Sequence, residues 1–282
     1  MGRSSGRKLT GLAKEEGVAD SRTSVRMMSY RESGEESGDP VVLLHAFPLD
    51  SRMFEPQAEA LAGLRRLITP DYPGFGRSPR APAQPDVRYY AEGVRGLLDR
   101  LKLERVVLGG VSMGGYVVFE CLRLFPERIS GLILANTRPE PDSEEMRENR
   151  KKMARRVAEE GVGVLIELQM ERLLTRNTLR NNEKVVEKVR AMILESNPNG
   201  VVAALGALRE RSDSTPLLSK IEVPTLVIGG EEDGISSPEV MGAMAEKIPN
   251  SRHVILPGAG HLANLEASEG FNAALKELLK EL

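Results

Sequence analysis

The fold turns on the stretch Arg105-Val-Val-Leu-Gly-Gly-Val-Ser-Met-Gly-Gly-Tyr116. Arg105 to Leu108 is a short strand-like run, and Tyr116 to Phe125 reads as a buried helix. Between them stands Gly110-x-Ser112-x-Gly114. A sharp turn from strand to helix forces its central residue into a strained conformation, so the flanking positions must lack a Cβ. The Ser112 hydroxyl is then held out above the sheet edge. The following helix points its N-terminal N–H groups at the same spot, where negative charge is stabilised. A bare G-x-S-x-G also occurs as a plain turn, so the rest of the chain must decide whether this one carries chemistry.

On both sides of this turn the chain reads as alternating strands and helices. Val25 to Glu32 alternates weakly, as a first strand. Val41 to Leu44 is a continuous apolar run, the pattern of a strand buried on both faces of a parallel sheet. It opens into His45-Ala46-Phe47-Pro48, and Ser51 is placed to cap a helix over Arg52 to Gly63. A strand over Arg66 to Thr69 closes with Asp71-Tyr-Pro-Gly-Phe-Gly-Arg-Ser78, too rich in Pro and Gly to be anything but an ordered loop. Asp86 opens a helix to Lys102, which leads into the serine turn. Beyond it, Ile129 to Ala135 is another buried strand.

Residues 137–215 show no strand pattern. Helices are predicted over Ser143 to Glu160, Val164 to Leu174, Glu183 to Leu194 and Gly200 to Arg209. The alternation returns with a strand over Pro224 to Ile228, a helix over Pro238 to Lys247, a strand over Arg252 to Leu256 and a terminal helix over Leu262 to Leu279. This pattern predicts an α/β fold, a doubly wound, mostly parallel sheet with right-handed crossovers. The core is assigned to residues 25–136 and 216–282, a helical cap to 137–215, and a flexible tail to 1–24.

Composition excludes several function classes. The net charge is -2, which gives no electrostatic basis for binding nucleic acid or an anionic membrane. No apolar run approaches the roughly 20 residues of a membrane helix, and the tail lacks the apolar core of a signal peptide. The single cysteine, Cys121, allows no intrachain disulfide, and a cytoplasmic protein is expected. No His/Cys cluster has metal-ligand spacing and no nucleotide-binding glycine pattern follows a strand, so neither metal nor cofactor is expected.

Acyl chemistry on a serine needs a base, an acid to orient it, and two N–H donors for the oxyanion. Only three histidines exist, His45, His253 and His261. His45 precedes the serine and reads as a loop-shaping residue, and His253 lies at the wrong end of its strand. His261 follows the last strand at its carboxyl end, where catalytic groups of open α/β sheets gather. The acid is expected in the loop Gly229 to Pro238. Asp233 is preferred because the loop must extend before it reaches the histidine. Glu231 and Glu232 compete with it, while Asp71 and Asp213 fit less well. The oxyanion donors are expected to be the N–H groups of Met113 and Phe47, since Pro48 has none to offer.

His45-Ala-Phe-Pro, Asp71 to Ser78, Gly110-Val-Ser-Met-Gly-Gly115, Gly230-Glu-Glu-Asp233 and Gly260-His261 together resemble the successive signatures of the α/β-hydrolase superfamily. They are similar to its esterase, enol-lactonase and cofactor-free haloperoxidase branch. The resemblance covers residues 26–282. It implies a serine hydrolase with the triad Ser112, Asp233 and His261, a helical lid after the sixth core strand, and a small-molecule ester or lactone as substrate. Many relatives carry His-Gly where this chain has His45-Ala46, and Ala there hints at the enol-lactonase-like members. The same triad also supports perhydrolysis, with peroxide in place of water. A ligand sensor that does not turn over is the reading from another class.

Overall fold

The computed structural model describes residues 27–35 and 37–282. The tail assigned to 1–24 and the start of the first predicted strand at Val25 lie outside the described residues. Among the described residues seven strands form one sheet in the order β1-β3-β2-β4-β5-β6-β7. They are β1 (Tyr30–Ser33), β2 (Val41–Leu44), β3 (Leu67–Pro70), β4 (Val106–Val111), β5 (Ile129–Ala135), β6 (Thr225–Gly230) and β7 (Ser251–Leu256). β1 runs antiparallel to β3, and every other pairing is parallel. All residues of β2 to β6 are buried, which is why these strands read as unbroken apolar runs and not as alternations. β7 closes the edge and is only partly covered.

The core helices are α1 (Glu55–Leu61), α2 (Val87–Arg100), α3 (Met113–Leu124), α9 (Pro238–Ala245), α10 (Ala263–Glu266) and α11 (Ser268–Lys280). Between β5 and β6 come α4 (Glu144–Glu160), α5 (Val164–Leu173), α6 (Arg176–Asn181), α7 (Glu183–Leu194) and α8 (Pro198–Arg209). This helical segment follows Ile129–Ala135 as expected. That strand is the fifth among the described residues, not the sixth. α4 is capped by the Ser143 hydroxyl, packs mainly on α8, and buries only Val157 completely.

Three local expectations are corrected. Asp50, not Ser51, caps the segment after β2: its carboxylate accepts from the Arg52 N–H at 2.9 Å. The Ser51 N–H goes instead to Asp71 Oδ1 at 2.8 Å, and Ser51–Phe54 forms a 3₁₀ turn before α1 begins. The single terminal helix is broken at Ala267 (φ −126°, ψ 50°). The carbonyl of Asn264 would accept from Ser268 in a continuous helix, but it accepts from Gln57 Nε2 at 3.0 Å, so α10 stops there. The short α6, started by a Thr175 side-chain cap, escapes prediction because one turn and a half carries too little periodicity.

The topology fixes where a site can form. The chain runs from β2 outward to β3 and returns on the other side of β2 to form β4, so the strand order reverses between β2 and β4. In open α/β sheets, ligands bind at this switch point, outside the carboxyl ends of the strands. Leu44 pairs with Gly110 and Ala135 pairs with Ile228. The loops carrying Phe47, Ser112, Asn136 and Asp233 therefore leave the sheet side by side.

Candidate active site

Ser112 occupies φ 54° and ψ −111°, a region that side-chain-bearing residues avoid and that costs on the order of 1–3 kcal/mol. Three hydrogen bonds pin it. Its N–H donates to Ala135 O at 2.9 Å, and its carbonyl accepts from Gly115 N–H and from the Thr137 hydroxyl, each at 2.9 Å. The turn closes because its neighbours are glycines. A Cβ on Gly110 would stand 2.1 Å from the carbonyl carbon of Gly114, and one on Gly114 would stand 2.1 Å from Leu44 O.

His261 Nε2 lies 2.8 Å from Ser112 Oγ. Its Nδ1 lies 2.9 Å and 3.0 Å from the two carboxylate oxygens of Asp233. A carboxylate only accepts, so Nδ1–H donates to Asp233, and Nε2 is left to accept from the Ser112 hydroxyl. Further donors hold the carboxylate in place. Oδ1 accepts from the N–H groups of Ile235 (2.8 Å) and Ser236 (3.0 Å), and Oδ2 accepts from Asn136 Nδ2 (3.0 Å). Burial pushes the Asp233 carboxyl up, but the neighbouring His261 and these donors outweigh it and hold the group below the usual carboxylate value.

Glu231 and Glu232 are exposed, and Glu231 accepts from the Gly258 N–H at 3.1 Å. Asp233 is thus the carboxylate of this loop that meets His261. Asp71 shapes its own loop by accepting from the N–H groups of Ser51 and Arg77. Asp213 accepts from the Thr215 N–H at the surface. His45 is fully buried, donates from Nδ1 to Ala46 O at 3.0 Å and accepts at Nε2 from the Tyr72 N–H at 3.0 Å. Burial lowers its pKa, and both ring nitrogens are committed to the loop. His253 sits in β7, far from the carboxyl end, with its pKa also lowered by burial. Cys121 is buried in α3, and burial pushes its thiol pKa up.

Phe47 and Met113 line one cavity of ≈ 100 Å³ together with Ser112 and His261. Helices α4 and α5 roof it, with Met146, Met153 and Leu173 on its wall. The roof is tied to the histidine loop: Leu262 N–H donates to Leu173 O at 3.1 Å, and Glu266 accepts from the N–H groups of Thr175 and Gly260.

Sequence reasoning misses Asn136. It follows β5, takes φ 46°, and donates from Nδ2 both to Asp233 and to Gly260 O at 3.1 Å. The one available signal is an Asn directly after a buried strand, a residue type that tolerates positive φ. Among the described residues no group of three His, Cys, Asp or Glu is placed to hold a metal ion, and no helix is long and apolar enough to cross a membrane.

The profile described as "alpha/beta hydrolase fold" matches residues 39–268. The chain is similar to a thermophilic esterase from Thermogutta terrifontis, solved with malate bound, at 44% identity and a TM-score of 0.87, covering 90% of this chain and 93% of that one. It is similar to the enol-lactonase from Burkholderia xenovorans at 27% identity and a TM-score of 0.83, covering 90% and 96%. By sequence it is 30% identical over 281 residues, 96% of this chain and 72% of the relative, to the dihydrolipoyllysine-residue acetyltransferase component of the acetoin cleaving system of Pseudomonas putida.

Proposed function

The chain belongs to the α/β-hydrolase family, and on that footing we propose that it is a serine hydrolase of small carboxylic esters or lactones, with Ser112 as nucleophile, His261 as base and Asp233 as the acid that orients it. The observation that carries this reading is the line of hydrogen bonds from Ser112 Oγ to His261 Nε2 (2.8 Å) and from His261 Nδ1 to Asp233 (2.9 Å), opening on one cavity. The likeness to an esterase and an enol-lactonase supports the same substrate class. Helices α4 to α8 act as its cap.

The chemistry follows from those contacts. Ser112 Oγ attacks the ester or lactone carbonyl as its proton passes to His261 Nε2. Asp233, kept ionised, stabilises the imidazolium through the Nδ1–H bond. The oxyanion is received by the N–H groups of Met113 and Phe47, already fixed in place before the charge develops. His261 returns the proton to the departing alkoxide, leaving an acyl group on Ser112. Water then gives a proton to His261, attacks the acyl carbon, and Ser112 departs with its proton restored.

Exposure to a fluorophosphonate, followed by intact-mass measurement and peptide mapping, tests the nucleophile beside an assay with a short-chain 4-nitrophenyl ester. One label at Ser112 with ester turnover is expected. Turnover retained in Ser112→Ala would refute the assignment, and labelling without turnover would favour a ligand sensor built on the same site.

A further inference from the structure

We propose that the substrate carries a carboxylate apart from its scissile carbonyl, and that Arg138, with Arg150 and Arg172, holds it. The proposal rests on the hydrolase reading above and names the substrate class of that site.

Three arginines line the cavity that holds Ser112 and His261, Arg138 and Arg150 half-buried and Arg172 exposed. Arg138 follows β5, Arg150 lies on α4 and Arg172 on α5. No Asp or Glu lines that cavity among the described residues. An arginine stays charged at any pH at which the protein folds, so the wall is cationic whatever the conditions.

These charges are not neutralised from behind. Arg138 forms no ion pair among the described residues. It donates from Nη2 to the carbonyl of Ile235, and its Nε is buried without a hydrogen-bond partner. Arg172 forms neither an ion pair nor a side-chain hydrogen bond among the described residues. Arg150 is paired with Asp142, but that carboxylate is shared with Arg211, so one negative charge faces two positive ones.

A neutral ester would add no negative charge beside these arginines and would leave the buried Arg138 Nε without a partner. A carboxylate would answer them with charge-assisted, fork-shaped hydrogen bonds. In the hydrolase reading the oxyanion goes to backbone N–H groups, which leaves the arginines for another part of the substrate. The arginines therefore bind and orient the substrate from its far end, and their removal should act chiefly on KM. Tyr116, Met153 and Leu173 offer the methylenes of the intervening chain an apolar wall.

Two probe esters of nearly equal length decide the matter, 4-nitrophenyl hemisuccinate and 4-nitrophenyl pentanoate, which differ in the terminal group. At low salt the hemisuccinate should be preferred in kcat/KM by on the order of tenfold or more, and added sodium chloride should erode that preference. Arg138→Gln and Arg172→Gln should collapse the ratio through KM. A variant that merely damages the fold lowers both esters together and leaves the ratio in place. Independently of turnover, calorimetric titration of succinate into the Ser112→Ala protein should show binding that weakens on the order of tenfold when Arg138→Gln is added. Pentanoate turned over with no advantage for the hemisuccinate, or a ratio unmoved by the arginine changes, would overturn the carboxylate proposal and leave the hydrolase reading standing. Absence of succinate binding would overturn it as well. Arg138-dependent succinate binding with neither ester turned over would sustain the anion site and sink the hydrolase reading instead.

Discussion

The amide nitrogen of Asn136 lies 3.0 Å from a carboxylate oxygen of Asp233, across the ends of two neighbouring strands. The same amide donates to Gly260 O, so one side chain ties the acid loop to the histidine loop. Asn136 is in our reading a positioning residue. Asn136→Gly keeps the backbone at φ 46° at little strain but removes both bonds. We expect kcat to fall on the order of tenfold with KM nearly unchanged, and stability to fall by about 1–3 kcal/mol. Because Asn136 helps keep Asp233 ionised, the acidic limb of the kcat/KM profile should move to higher pH. An unmoved profile beside a simple loss of stability would mean that the residue is only structural.

The backbone of Ser112 stores strain that its hydroxyl does not cause. Ser112→Ala should abolish hydrolysis, on the order of 10⁴-fold or more, yet keep φ 54° and its strain. Ser112→Gly should be equally inactive but about 1 kcal/mol more stable than Ser112→Ala, because glycine adopts positive φ freely. Denaturant midpoints of the two inactive proteins check this, and equal midpoints would show that the turn is not strained.

The glycines of the turn are steric necessities. Gly114→Ala would drive a Cβ to 2.1 Å from Leu44 O, the last residue of β2, from which the Phe47 loop departs. The obstruction is backbone, so strand and helix must separate. We expect a loss of about 3 kcal/mol or more and a fall in kcat exceeding that in KM. Unchanged thermal stability in this variant would contradict the close crossing of β4, α3 and β2.

Asp142 anchors both ends of the helical segment between β5 and β6, bonding Arg150 of α4 and Arg211 just after α8. Its side chain is fully buried. Burial alone would push its pKa up, but the two guanidinium groups outweigh it and hold the carboxyl below the usual carboxylate value. Removing the charge leaves Arg211 buried and unpaired, so Asp142→Asn should cost about 3–5 kcal/mol near neutral pH. The sign with pH is fixed. The folded pKa lies below the unfolded one, so this contribution is complete above the unfolded pKa and is lost as pH falls through the folded value. The stability gap between wild type and Asp142→Asn should therefore narrow below about pH 4 in urea titrations. A gap that stays constant down to about pH 3 would mean that the ion pair does not stabilise the fold.

Much of the fold and site is readable in the chain because the residues concerned obey short-range rules. The buried runs at Val41–Leu44 and Ile129–Ala135 announce parallel strands by composition alone, and Gly110-x-Ser112-x-Gly114 announces its turn by what it lacks. The scarcity of histidine leaves His261 as the proposed base. The loop carboxylate is harder, because Glu231, Glu232 and Asp233 are adjacent and chemically alike. Only the path of the loop, with Asp233 turned inward by the N–H groups of Ile235 and Ser236, separates them.

Spacing and local backbone preference are enough to specify the sheet, the order of its loops and the residue types able to do acyl chemistry. Long-range packing settles what remains. It puts Asn136 between Asp233 and Gly260, breaks the terminal helix at Ala267 by turning Asn264 O toward Gln57, and sets Arg138, Arg150 and Arg172 around one cavity. Those pairings join residues tens to hundreds of positions apart, and no periodicity records them. They exist because the parallel sheet delivers the carboxyl ends of β4, β5, β6 and β7 to one edge, where polar groups removed from water must satisfy each other.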